Sequence, residues 1–320
     1  MNITNLDINY STTKKLSNEE LILKNDLKDK FKTTLYLPPN KERKYESGLR
    51  TNKHFKKSYI NKPLITIVTV TYNSEQFLEE TIQSILNQTY DNIEYIIIDG
   101  GSTDQTLNIL EKYEDVIDYI ISEADNGMYD ALNKGFSLAL GELVNFCNSD
   151  DVLYANDTIT RIIDIYIQEN FDFSYGIAEF IDADSKHLSY RYSLDFKKRY
   201  LVTLGMPFVQ PSSFWKKSLM QKTGLFNLNY KIVSDYDLIS RLLLESNKIH
   251  HMPFPIVKFR KHGISFGDLN TKIARQEGPI IRNNLKILLK ISNLEDTILS
   301  IYDRFIQKLN EIIKQLKEKK

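Results

Sequence analysis

From Leu64 to Gln168, short apolar runs alternate with stretches of helical spacing, and this alternation narrows the fold more than any other feature of the sequence. Four runs read as buried strands: LITIVTV at 64–70, IEYIII at 93–98, VIDYIIS at 116–122 and ELVNFC at 142–147. They are short, continuous and rich in β-branched residues, as strands covered on both faces are. Ser74 suits a helix N-cap ahead of Phe77, Leu78, Thr81, Ile82, Ile85 and Leu86. Further helices are expected from Asp104 to about Tyr113, from Met128 to Leu140 with Gly141 closing it, and from about Asn156 to Gln168. Strands and helices in this order imply an α/β fold, a Rossmann-like and mostly parallel sheet with helices on both faces.

In such a sheet, ligands bind beyond the carboxyl ends of the strands. Four polar clusters fall at those ends: Tyr72-Asn73, Asp99-Gly100, Glu123 to Gly127, and Asn148 to Asp151. That edge is the expected active site. Asp150 and Asp151 offer hard oxygen ligands for Mg²⁺ or Mn²⁺, which take carboxylates together with phosphate oxygens; an Asp-rich turn that caps the next helix is the alternative. Asp99 ends a strand, and Gly100-Gly101 lets the chain turn away, so its carboxylate could accept from the N–H of a nucleotide base. A helix-capping turn through Ser102 and Asp104 explains the same residues. Asp235 and Asp237 fall in the first turn of a helix, where the dipole favours negative charge; the functional reading is a general base that deprotonates a hydroxyl. His262 reads as a metal or phosphate ligand, or as a lone structural histidine. Cys147, the single cysteine, lies on an apolar strand with no histidine near it in sequence, which favours a small buried hydrophobe over a nucleophile.

The remainder of the chain is less regular. Residues 1–62 are polar and Lys-rich and read as an extension that wraps the domain or is partly mobile. After residue 170, FSYGIAEF (173–180) and HLSYRYS (187–193) look like antiparallel strands, and PIVKFR (255–260) like another. A helix is expected from Asp235 to about Ser246, and the tail from about 270 to 320 is strongly helical. Lys and Arg balance Asp and Glu at 42 each, so no basic face argues for nucleic acid. The N-terminus lacks the apolar core of a signal peptide, and no run reaches the roughly 18 to 20 apolar residues of a spanning helix. A single cysteine suits a reducing compartment. The expectation is a cytoplasmic protein, soluble or peripheral on the inner face of the membrane.

Four blocks carry a resemblance: IVTVTYNS (67–74), NQTYDNIEYIIIDGGSTD (87–104), SEADNGMYDALNKG (122–135) and GELVNFCNSDD (141–151). In order and spacing they resemble the family 2 glycosyltransferases with a GT-A fold, nearest in flavour to bacterial enzymes that build O-antigen, capsule or exopolysaccharide. The likeness starts at Leu64 and covers roughly 200 residues. It implies a GT-A domain over 63–268, with a nucleotide-sugar half (63–155) and an acceptor half (156–268), followed by a helical region at 269–320. It also implies an inverting, metal-dependent transfer of a hexosyl or N-acetylhexosaminyl group from a nucleoside-diphosphate donor, most often a UDP-sugar, to a glycan or lipid-linked saccharide.

By the same resemblance Thr71, Tyr72, Asn73, Asp99, Gly100 and Ser102 line the base and ribose pocket, with Asn126, Gly127 and Asp130 beside it. Lys134 would meet a phosphate. Asn148 to Asp151 matches the D-x-D region, with Asp151, Asp150 and His262 as metal ligands. Asp235 matches the base, and Gln210, Ser212 and Ser234 lie on the acceptor or donor-sugar side. The sequence departs from the pattern at Asn148, which brings no charge, at Leu132, where many relatives carry Arg, and at Ser234, where many carry Glu.

Ile298, Tyr302, Phe305, Leu309, Ile312 and Leu316 alternate spacings of four and three, a heptad-like seam. It suits docking onto the catalytic domain and homodimerisation alike, and Lys314, Lys317, Lys319 and Lys320 would suit an anionic membrane surface. Two other functions compete. A nicotinamide-dependent oxidoreductase is opposed by the absence of G-x-G-x-x-G after any strand. A non-catalytic nucleotide-sugar-binding or scaffold protein would have no use for Asp151 and Asp235.

Overall fold

A computed structural model of the chain describes residues 10–19, 21–23, 25–261 and 268–318. Its elements begin with β1 (Tyr45–Ser47), β2 (Ile65–Thr71), α1 (Leu78–Leu86), β3 (Ile93–Asp99), α2 (Thr106–Glu111) and β4 (Tyr119–Ser122). Then come α3 (Met128–Leu138), β5 (Leu143–Phe146), β6 (Val152–Leu153), α4 (Thr158–Glu169), β7 (Phe173–Ile181), β8 (His187–Arg191) and α5 (Tyr200–Thr203). A 3-10 turn (Gln210–Ser212) precedes β9 (Ser213–Lys216), α6 (Lys217–Thr223), α7 (Ser234–Glu245), β10 (Ile249–Arg260), α8 (Asp268–Leu289) and α9 (Asn293–Glu318). The chain divides into two compact units, one of Met1–Asp172 with Phe214–Phe226, the other of Phe173–Ser213 with Asn227–Lys320.

The first unit is built on strands in the order β1-β4-β3-β2-β5-β9. β4, β3, β2 and β5 run parallel, while β1 and β9 are antiparallel to their neighbours. Every residue of β2 and β3 is buried, the polar Thr66, Thr69 and Glu94 included, which is why these strands read as largely apolar runs. The register aligns Thr71 with Asp99 and Asp99 with Ser122, so three strands end level. The chain steps outward from β2 through β3 to β4, then returns to the other side of β2 as β5. The order therefore reverses between β2 and β5, the place where open α/β sheets bind ligands.

Helix α3 lies close on the sheet because Gly135 has no side chain: a Cβ there would stand 2.4 Å from Val68 Cγ1. Beside it Phe136, Phe146, Trp215 and Phe226 form an aromatic core, with ring centroids 5.8–6.4 Å apart. Described segments of the polar N-terminal extension pack on this unit: the Ser11 amide donates to Leu86 O at 2.9 Å and the Thr34 amide to Ser137 O at 2.8 Å. The extension's segment 45–47 becomes β1, a strand too short for any periodicity to announce. Arg50 is buried and pairs with the equally buried Glu94 at 2.5 Å, while Glu94 also accepts from Thr66 Oγ1 at 2.5 Å and from the Leu140 amide at 2.7 Å. Removing one partner of such a pair strands the other charge. Arg50→Ala is expected to cost about 3–5 kcal/mol, read as a lower midpoint of urea denaturation; an unchanged midpoint would detach the extension from the stability of this unit.

In the second unit β7 pairs antiparallel with β8, as expected, and parallel with β10. The expected PIVKFR strand is the end of the longer β10, whose register slips between His251 and Val257, where Pro253 and Pro255 supply no amide hydrogen. Tyr175 stacks on Phe208 with centroids 4.6 Å apart. No helix among the described residues is long and apolar enough to cross a membrane.

Candidate active site

The loop after β2 and the loop after β3 are laced into one surface. The Asn73 amide donates to Ser102 Oγ at 2.8 Å, the Thr103 amide to Asn73 Oδ1 at 2.9 Å, and the Ser74 amide to Thr106 Oγ1 at 2.8 Å. Asn73 takes a left-handed conformation, with φ of 49°. Ser74 does not cap α1, which begins four residues later after a turn; its hydroxyl instead meets Ser149 Oγ at 2.9 Å. That contact joins the end of β2 to the end of β5, across the point where the strand order reverses. Tyr72 stands 63% exposed beside it, and the Thr71 hydroxyl is buried without a hydrogen-bond partner among the described residues.

Asp99 differs in character from the sequence-based expectation. Its carboxylate is 0% exposed and takes four donors: the Gly101 amide at 3.0 Å, the Ser102 amide at 2.9 Å, Ser122 Oγ at 2.6 Å, and Ser102 Oγ. A carboxylate so enclosed builds the Gly100–Ser102 turn and has no face left for a base. The accessible carboxylate here is Asp125, which the sequence reading did not single out. Its Oδ2 lies 2.6 Å from the point a Cβ on Gly100 would occupy, and Tyr72 Cδ2 lies 3.4 Å from the same point. The bare backbone of Gly100 is thus flanked by a carboxylate and an exposed ring. Burial pushes the Asp125 carboxyl above its ordinary range, and the charges of Asp130 and Asp99 add to this against the Gly127 amide and Lys134. The signal in the sequence was Gly100-Gly101, which leaves the turn without a side chain of its own.

Gly127, with φ of 104°, starts α3, and Asp130 in its first turn accepts from the Asn126 amide at 3.0 Å. Lys134 is not presented as a lone cation for a phosphate: it lies 2.9 Å from Glu123 and 3.8 Å from Asp130. Arg43 also reaches Glu123, at 2.9 Å. Burial works to raise the Glu123 carboxyl, but Lys134 and Arg43 outweigh it and hold that group below its usual range. Lys134 therefore fastens the loop before α3, with Glu123 as its near partner and Ala124 O at 3.3 Å.

At the end of β5, Asp151 is 0% exposed and its Oδ2 accepts from Asn148 Nδ2 at 2.9 Å, while its backbone amide donates to Asn148 O at 3.1 Å. The Asn148 Oδ1 is a buried acceptor with no donor among the described residues. Asp150 is half-buried. Of the two carboxylates expected as metal ligands, Asp150 is the more exposed, and Asp151 lies enclosed behind Asn148. One half-buried carboxylate with an orphaned amide oxygen fits a hard cation such as Mn²⁺ or Mg²⁺, whose remaining positions go to phosphate and water. No group of three or more His, Cys, Asp or Glu suited to a metal occurs among the described residues, and His262 lies outside them. Cys147 is buried, with its thiol pushed well up by that burial and by Asp151 and Asp150, and its Sγ lies 3.6 Å from Asp151 O. It is packing, as its apolar strand suggested.

The second unit carries Asp235 in the first turn of α7. Its Oδ2 accepts from Gln210 Nε2 at 2.8 Å and its Oδ1 from the Tyr236 amide at 2.8 Å, so two expected residues 25 positions apart do meet. The loop leading in is held by Glu277, which accepts from the amides of Lys231 at 2.8 Å and Ile232 at 3.0 Å. Ser212 and Ser234 do not share that site. Both are buried, and their hydroxyls donate to backbone carbonyls, Ser212 to Val209 at 2.6 Å and Ser234 to Asn227 at 2.9 Å. Each serves its own turn.

Residues 66–231 match the family described as Glycosyl transferase family 2. The PGL/p-HBAD biosynthesis glycosyltransferase of Mycobacterium tuberculosis is 31% identical over 179 residues, covering 55% of this chain and 68% of that protein. An uncharacterized glycosyltransferase of Rickettsia prowazekii is 34% identical over 194 residues, or 57% and 59%. Among solved structures, S. aureus TarS residues 1–349 in complex with UDP-GlcNAc superpose with a TM-score of 0.58 at 19% identity, over 73% of this chain and 68% of that one. The chain spans 41% of another TarS structure. The mannosyltransferase PcManGT of Pyrobaculum calidifontis, in complex with GDP-Man and Mn²⁺, gives 0.52 at 19% identity, over 71% and 64%. At such identities the structural likeness is one of fold.

Proposed function

The chain belongs to Glycosyl transferase family 2, and we propose that it moves a sugar from a nucleoside-diphosphate donor to a hydroxyl of a glycan or lipid-linked saccharide, with inversion. The observation that carries this is the reversal of strand order between β2 and β5, bridged by Ser74 and Ser149 and flanked by Asp125, Asn148 and Asp150. In this reading the base lies on Tyr72 and the diphosphate near the end of β5. Asn148 Oδ1 and Asp150 would hold Mn²⁺ or Mg²⁺, which supplies positive charge for the leaving diphosphate. The acceptor oxygen bonds to the anomeric carbon as the bond to the diphosphate breaks, and the electron pair leaves with the diphosphate. Asp235, steadied by Gln210, takes the acceptor proton. A role in bacterial surface polysaccharide synthesis is part of this reading, in keeping with relatives that are glycosyltransferases of bacteria.

Asp125 supplies the test of the donor half. A carboxylate accepts from the imide N–H of uracil or the N1–H and N2–H₂ edge of guanine, and meets only a ring-nitrogen acceptor at the same place in adenine or cytosine. In a calorimetric panel with Mn²⁺, uridine or guanosine diphosphate should bind best, and Asp125→Ala should weaken that nucleotide roughly 10- to 100-fold while leaving adenosine diphosphate unchanged. The ionised carboxylate is the acceptor, and its pKa is raised. Affinity is therefore full above that pKa and falls on acidification sooner than for an ordinary aspartate; Asp125→Asn should lack this fall. Equal binding of all four nucleotides by the unaltered protein would remove Asp125 from this role.

A further inference from the structure

Residues 43–45 lie ahead of the stretch that matches the family, 66–231. They nonetheless hold both the 100–102 turn and the loop at 123–127. Arg43 Nε donates to Glu123 Oε2 at 2.9 Å, where Asn40 Nδ2 joins it at 3.2 Å. The Lys44 amide donates to Ser122 O at 2.8 Å, and Tyr45 then pairs with Ser122 as β1 begins. The Lys44 ammonium donates to Gly101 O at 2.7 Å and to Ser102 O at 3.2 Å.

These contacts complete the fastening of the two loops. Asp99 takes the amides of Gly101 and Ser102, and Lys44 takes their carbonyls, so the turn is held through donors and acceptors alike. Gly101 brings that turn against the next loop: a Cβ there would stand 3.5 Å from the Ala124 amide nitrogen. Residues 123–127 form neither strand nor helix. Their place is set by the Glu123 amide on Asp99 O at 3.0 Å and by the three side chains that meet the Glu123 carboxylate, Asn40, Arg43 and Lys134. Asp125 follows two residues later, with its Oδ2 beside Gly100. A group that discriminates by hydrogen bonding has to be held within about 0.5 Å of its working position. Half of what holds this one comes from the N-terminal extension.

We infer that Arg43 and Lys44 are positioning residues for nucleobase selection, which makes the N-terminal extension part of the donor site. The inference rests on the reading of Asp125 as the acceptor for the base. Arg43 acts through the Glu123 loop that carries Asp125, and Lys44 through the Gly100–Ser102 turn against which the base edge lies. Neither touches the reacting atoms. Their loss therefore blurs the choice among nucleotides and spares the transfer step.

Calorimetry of the full chain with Mn²⁺ tests this, setting the better bound of uridine and guanosine diphosphate against adenosine diphosphate. Lys44→Met keeps the apolar stem and removes the ammonium. The preference should fall roughly 10-fold, the worth of one well-placed hydrogen bond, and Arg43→Gln should lower it comparably. Lys44→Arg can still donate to both carbonyls and should restore it. In turnover of the corresponding donor sugar, KM should rise while kcat at saturation stays that of the unaltered protein. Lys44 is exposed, so far-UV circular dichroism of its variants should be unchanged. A preference that survives in both Lys44→Met and Arg43→Gln overturns this inference alone. So does an equal weakening of all nucleotides, which would leave the extension a support of the fold only. No preference in the unaltered protein overturns the Asp125 reading and this inference with it.

Discussion

Asp235→Asn lowers the rate of donor turnover by roughly 10²- to 10⁴-fold, the contribution of one positioned acid–base group, while nucleotide affinity stays within error of the unaltered protein. The amide oxygen can still receive the Tyr236 amide, and the Gln210 side chain can turn its own oxygen to the new NH₂, so the first turn of α7 is preserved. The amide has no basic lone pair for a proton. Steady-state release of nucleoside diphosphate at saturating donor, alongside calorimetry of the donor, separates the two effects. The loss should appear in kcat and kcat/KM together, as when an interaction made only in the transition state is removed. Turnover at the original rate would take Asp235 out of the base role.

Asp150→Ala weakens metal-dependent nucleotide binding, with a loss of roughly 30- to 150-fold if the cation contributes about 2–3 kcal/mol at the diphosphate. Chelation with EDTA should reproduce that loss in the unaltered protein and have little further effect on the variant. Asp151→Asn should act more weakly and indirectly. Its carboxylate is enclosed, so the substitution alters how Asn148 is turned, and such supporting groups typically change metal affinity 10- to 100-fold. If calorimetry gives the same affinity for both variants and in EDTA, no cation is held at the end of β5.

Much of this was legible because burial on both faces leaves a plain mark. β2 and β3 are buried throughout and dominated by Ile and Val, and a polar turn follows each, so the edge of the sheet could be found from the sequence. The lacing of that edge could not. Asp99, Asp125, Asp150 and Asp151 are the same residue type, and only the turn geometry decides that Asp99 and Asp151 face inward while Asp125 and Asp150 face out. Ser74, expected as a helix cap, differs for a related reason: a serine hydroxyl bonds whatever lies within reach, and the partner of this one, Ser149, is far off in sequence. β1 is three residues long and exists only because β4 offers it an edge. The heptad seam of α9 was visible, but the side of the helix that docks was not, since ion pairs to Arg199, Arg282 and Lys286 settle it.

Incubation of the full chain with a panel of nucleoside-diphosphate sugars and Mn²⁺, with release of nucleoside diphosphate as the readout, tests the central claim most directly. Release from at least one UDP- or GDP-sugar is expected, abolished by EDTA and by Asp235→Asn. Tight binding of a nucleotide sugar with no release, with or without saccharide acceptors, would contradict it and leave a protein that holds a donor without transferring it.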